Sequence, residues 1–292
     1  MSEQAIIVDR GYRPYEGPRG TLRSSMWAIV KDGYRRALGL RRRAWSKVMP
    51  WGLIALMLMI TMVVIAVAWF AGDLIPDLPS YAEYFDLTSQ LGLLFVALTG
   101  PLLLVPDRVN GVLAVYMSRP LRMSDYLLAK TAALVSLMLT FYLVPQTILH
   151  LGLAALSDDG FFTYLGANLD VLWKVPVVAL AYIATHGSIA FAVSAFLGRS
   201  GLASGLYLGF IIITNNVAGL IVSVATFPGA KYAALFALEQ HPRYFRDWVF
   251  GTNAGFLIME EAGFDAWVSL VCIVAIVALS SLVVWRQYRK LP

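Results

Sequence analysis

Six stretches of this 292-residue chain, 48–70, 87–105, 131–156, 175–197, 201–225 and 266–285, contain no Asp, Glu, Lys or Arg. Crossing the hydrocarbon core of a bilayer takes about 20 apolar residues in a helix. All six meet that length, and backbone inside lipid must satisfy its own hydrogen bonds, so runs this long are expected as helices and not as the shorter, alternating strands of a barrel. With 59% hydrophobic and 14% charged residues, the composition lies far from that of a soluble domain, where charged residues approach about a quarter. The expected fold class is therefore all-α, a polytopic membrane protein of six transmembrane helices.

Lys and Arg set the orientation, because the loops that stay in the cytoplasm keep them. Eleven precede the first span, four lie between the second and third, one (Arg199) between the fourth and fifth, and three follow the sixth. The alternate loops read the other way: 72–86 and 157–173 have none, and 226–265 has three against five acids. Every loop fits one alternation, with both termini cytoplasmic (N-in, C-in). The amino-terminal 1–25 is rich in Arg, Gly and Pro, lacks the order of a cleavable signal peptide, and reads as a flexible cytoplasmic tail. In 26–47, apolar Trp27, Ile29, Val30, Tyr34, Ala37, Leu38, Leu40 and Trp45 recur among arginines at near-helical spacing, as in an amphipathic helix lying on the membrane surface. The transmembrane domain then fills 48–292, its third helix starting in the cytoplasm at 124. The long outer segment 226–265 is expected to form short helices over the outer face.

Several chemistries are disfavoured. The single cysteine, Cys272, lies in an apolar run and the three histidines are scattered, so neither a disulfide nor a metal site is expected. Spans without a carboxylate, Lys or Arg argue against an ion-coupled carrier. "AKT" at 129–131 lacks the glycines of a phosphate loop, so the chain is not expected to bind ATP, and no nucleic-acid partner is expected. His150 and His186 differ by roughly 7 Å in expected depth, at 1.5 Å of rise per residue, which disfavours a shared haem. A polar contact between helices is expected of each.

The fifth span is the most patterned. Gly201, Gly205 and Gly209 stand four apart and give a smooth stripe where a second helix can approach. Thr214, Asn215 and Asn216 follow near mid-membrane, where unpaired amides are costly, so they are expected to face protein or a polar cavity. Bonding within the bundle and lining a transport path near a subunit contact, together with His186, satisfy that requirement equally.

The segment 106–130, "PDRVNGVLAVYMSRPLRMSDYLLAK", joins the second and third spans. Asp107 is expected to cap a short helix through Val112 and Leu113 that Pro120 stops. Ser124 is a plausible N-cap for the next, with Asp125 in its first turn and Met123 and Leu128 at staple spacing. Asp107, Arg108, Gly111 and Leu113, then "SRPLR" at 118–122 and "YLLAK" at 126–130, resemble the loop after the second span in ABC transporter permeases of the ABC-2 type. That family's pattern is roughly Glu-Arg-x-x-Gly-Thr-Leu, a Pro-x-x-Arg-like turn, then Leu-x-Gly-Lys. Here Asp107, Val112 and Ala129 depart from it.

The six spans, the inward termini, the interfacial helix and the large outer loop resemble the same family. The resemblance implies a non-catalytic permease subunit of the bacterial cytoplasmic membrane, an exporter acting with a second permease copy or a paralogue. It implies that Asp107, Arg108, Gly111, Val112, Leu113, Val115, Tyr116, Met117, Arg119, Pro120 and Arg122 form a coupling helix seated on a separate ATPase dimer, which holds the ATP and magnesium. Membrane lipid is the remaining expected partner. The alternative reading is a scaffold subunit that anchors an enzyme complex in the membrane.

Overall fold

The computed structural model describes residues 20–40, 44–71, 79–117, 121–227, 229–253 and 257–290. Among the described residues the chain is all α, with no strand. The helices are α1 Leu22–Ala37, α2 Trp45–Ala71, α3 Tyr81–Val109, α4 Val112–Met117, α5 Met123–Leu156, α6 Phe161–Ala167, α7 Val171–Ser194 and α8 Ser200–Val224. A 3-10 turn, Ala230–Phe236, precedes α9 Gln240–Phe250, α10 Ile258–Glu261 and α11 Ala266–Tyr288.

Six helices, α2, α3, α5, α7, α8 and α11, are long and apolar enough to cross a membrane. They coincide with the six charge-free stretches, but most extend beyond them. α5 is 34 residues, about 50 Å of helix, so its ends pass the hydrocarbon core of about 30 Å. The absence of charge locates the apolar part of such a helix, and polar terminal turns escape it. Burial orders the bundle: 78% of the most apolar window of α3 and 67% of that of α7 are buried, against 17% for α2, α8 and α11. α3 and α7 are therefore the centre, and the other three present apolar faces outward.

α1 differs from the expected 26–47 helix at both ends. It starts earlier because the Thr21 hydroxyl accepts from the Ser24 amide as an N-cap. It stops at Ala37 because Gly39 turns the chain at φ +64°, and a Cβ there would lie 2.5 Å from the Ser46 carbonyl oxygen. Trp45 and Lys47 consequently belong to α2. The tail residues 1–19 lie outside the described residues.

The centre is aromatic. Phe85 stacks on Tyr182 with ring centroids 5.9 Å apart, and Phe95 on Phe141 at 4.3 Å. Tyr142 fits because α3 has no side chain at Gly92, where a Cβ would lie 1.8 Å from its hydroxyl oxygen. Gly92→Ala is expected to lower stability by about 1–3 kcal/mol, as overpacking of a filled core does. Thermal unfolding in detergent micelles checks this, and adding Tyr142→Leu should restore part of the loss. An unchanged midpoint in the single variant would refute the close contact.

At the end of the bundle opposite α1, the 226–265 segment forms the 3-10 turn, α9 and α10, in line with the short helices expected there. α9 packs on α7 and α11. Its fully buried Arg246 places Nη1 2.8 Å from Asp86 Oδ1 on α3 and Nη2 2.7 Å from Asp247. Arg243 adds a second contact to Asp86 at 2.6 Å.

Candidate functional site

The stretch singled out in the sequence, 106–130, sits where α1 lies across the bundle. α3 continues through Pro106 to Val109, so Asp107 lies in its last turn and does not cap α4, contrary to expectation. Its carboxylate is fully buried. Oδ2 lies 2.7 Å from Nζ of Lys130, which is itself fully buried, and accepts from the Tyr126 hydroxyl at 3.0 Å. Oδ1 pairs with Arg36 of α1. A buried anion is tolerable only when paired and hydrogen-bonded, and here α1 and α5 supply the partners.

Arg36 also meets Asp32 on its own helix at 2.6 Å. Burial alone would favour loss of its proton, but Asp107 and Asp32 together hold the guanidinium above its already high ordinary pKa. α1 is seated closely as well as electrostatically: a Cβ at Gly33 would lie 2.9 Å from that of Ala133 on α5 and 3.0 Å from Leu103 on α3. The surface helix, α3 and the start of α5 are thus one rigid unit.

Asn110 and Gly111 reverse the chain after α3, Gly111 at φ +66°, and α4 follows. Leu113 is buried, Val112, Tyr116 and Met117 are half-buried, and Val115 is 61% exposed. The Tyr116 ring lies 5.7 Å from that of Tyr126, which stacks on Tyr288 of α11 at 6.2 Å. Arg108 turns inward, donating to the Leu197 carbonyl at the turn between α7 and α8. Asp107 is therefore an internal tie, and the half-buried Arg108 links α3 to that turn. Arg122 is exposed and is itself the N-cap position of α5, its amide donating to the Asp125 carboxylate at 2.9 Å, so Ser124 is not the cap. Arg119 and Pro120, with Ser118, lie outside the described residues.

The fifth-span residues stand apart from this cluster. At Gly201, Gly205 and Gly209 an added Cβ would meet nothing within 4 Å, so that stripe is open in the single chain. Ser204 crosses to the Ala97 carbonyl of α3 at 2.6 Å. Thr214 and Asn216 bond back to carbonyls of their own helix, and Asn216 is exposed, not turned into protein. The Asn215 Oδ1 is buried without a partner. His150 makes the expected contact between helices, 2.6 Å from the Tyr81 hydroxyl, whereas His186 is buried with Nδ1 unbonded.

Sequence reasoning passed over Arg36, Tyr126 and Lys130 as site residues. A signal for Lys130 was present: a cation at the mouth of a charge-free run needs a counter-ion nearby. Among the described residues no group of three or more His, Cys, Asp or Glu side chains could hold a metal ion. No protein-family model matches the chain, and no curated protein is significantly similar to it.

Proposed function

We propose that the chain is the membrane-spanning permease subunit of an ATP-driven exporter of the ABC-2 type, in a bacterial cytoplasmic membrane with both termini inside. α4 is the element that seats on a separate ATPase subunit. The observation that best supports this reading is the buried Asp107–Lys130–Arg36 cluster, which ties α3, the start of α5 and the surface helix into one body, against which α4 packs through α3 and Tyr126. A displacement of α4 by a partner would then move three elements together, as a coupling element must. The exposed surface around it, Val109, Val115 and Arg122, offers apolar contact beside a positive charge, a make-up that suits protein docking. The charge-free mid-spans contain no carboxylate or Lys that could couple transport to an ion gradient, so the energy comes from the partner.

The test is Val115→Pro, which breaks the six-residue α4. The chain is affinity-purified from its native membranes and assayed for co-purifying, vanadate-sensitive ATP hydrolysis. Wild type should retain that activity, and the variant should lose about tenfold, the equivalent of 1.4 kcal/mol of docking energy, while inserting at normal yield. Equal ATPase activity in both would overturn the assignment of α4. Its absence from wild type, with haem or quinone-dependent activity present instead, would overturn the permease reading in favour of a scaffold.

A further inference from the structure

Gln146 of α5 is 3% exposed, and neither its Oε1 nor its Nε2 has a hydrogen-bond partner. It lines a cleft of about 140 Å³ between α5 and α7, together with Leu143, Thr147, His150, Leu172 and Pro176. The other polar side chains named there each have a partner in the bundle. Thr147 donates to the Leu143 carbonyl at 2.8 Å, and His150 is held through Nδ1 by Tyr81 at 2.6 Å. The backbone adds an acceptor, since Pro176 has no N–H to donate to the Leu172 carbonyl one turn earlier. Thr147 and Leu172 are exposed, so the cleft opens on the side of the bundle that faces lipid. Its α7 wall, Leu172 and Pro176, is the first turn of that span after Val171, the depth at which a lipid's polar part gives way to its chains.

We propose that this cleft binds the hydroxyl of an uncharged, hydroxyl-bearing membrane lipid, with Gln146 as the recognising group. No Lys, Arg, Asp or Glu lines the cleft, and the nearby Lys174 and Asp170 neutralise one another at 2.7 Å, so nothing there would hold a phosphate. A primary amide offers one acceptor and a donor pair side by side. A hydroxyl matches both, donating to Oε1 and accepting from Nε2, whereas an ester or ether can only accept. The lipid's hydrocarbon would lie along Leu143 and Leu172. This inference stands whether or not an ATPase docks at α4, because the cleft is at the other end of the bundle.

The experiment uses the full chain in phosphatidylcholine nanodiscs doped with dioleoylglycerol or with its O-methyl ether, and reads the retained lipid by native mass spectrometry. Wild type should retain dioleoylglycerol roughly tenfold over the ether, the scale of a hydrogen bond that only the hydroxyl can complete. Gln146→Leu should abolish the preference while leaving the unfolding temperature in lipid-free micelles unchanged or higher, since the variant no longer buries an unpaired amide. Thr147→Phe, which fills the cleft and leaves Gln146 in place, should abolish it too, and decides the matter if Gln146→Leu does not fold. Equal retention of the two lipids by wild type, or an undiminished preference in the variants, would overturn the proposal and leave water as the only occupant.

Discussion

Asp107→Ala is expected to lower the stability of the folded chain by about 3–5 kcal/mol, the cost of leaving a buried charge without its partner. The charge left behind is Lys130, fully buried and 2.7 Å from the missing carboxylate. Arg36 is less affected, because its side chain is 18% exposed and keeps Asp32. Lys130→Met should cost less than Asp107→Ala, since Asp107 retains Arg36 and the Tyr126 hydroxyl. The double variant Asp107→Ala/Lys130→Met should therefore be more stable than Asp107→Ala alone, a non-additivity that only direct contact produces. Chemical unfolding in micelles gives the ordering, and hydrogen exchange should show α1 loosened in the first variant. Additive losses, or a loss no larger than a surface change of about 0.5 kcal/mol, would refute the cluster.

If the permease reading holds, Asp107→Ala should also separate α4 from α1 functionally. The ATPase would still dock, because Val109, Val115 and Arg122 are untouched, but hydrolysis would no longer drive transport. That outcome is distinct from the loss of docking expected for Val115→Pro, so the two variants report different steps.

The transmembrane architecture was legible because it depends on a one-dimensional property. A long run without charge marks a candidate span wherever it occurs, and finding it needs no knowledge of what touches what. The cluster around Asp107 was less legible because its members lie 71 and 23 residues from one another in the chain, as the numbers of Arg36, Asp107 and Lys130 show. Asp107 stands just past the charge-free run that ends at Val105, and an Asp in such a place reads as a cap. α3 instead continues through Pro106, and the carboxylate turns into the bundle. Gln146 escaped notice because it stands alone in its run, unlike the adjacent Asn215 and Asn216, although burial makes a lone amide just as costly. At α1 the signals were present, Thr21 before the helix and Gly39 after it, but the repeating arginines suggested a longer amphipathic stretch.

The far end of the bundle supplies the second large effect. Arg246→Met should destabilise the chain by about 3–5 kcal/mol, again because buried charge is left behind. Arg246 is fully buried and contacts two carboxylates: Asp86 on α3, whose side chain is 30% exposed, and Asp247, whose side chain is 2% exposed. Asp86 can turn to Arg243 or to solvent, so most of the penalty comes from losing the buried Arg246–Asp247 pair at 2.7 Å. For the same reason Asp86→Asn should cost less, since Arg246 keeps Asp247 and the neutral amide still accepts a hydrogen bond. α9 is paired to α3 through Asp86 and packs on α7 and α11 as well, so its release should loosen the far ends of three spans together. Hydrogen exchange should therefore rise in α9 and in the adjoining turns of α3, α7 and α11, while α1 and α4 keep wild-type protection. If protection falls evenly across the chain, the two ends unfold as one unit and the separate clamps inferred at Asp107 and Arg246 do not exist as such.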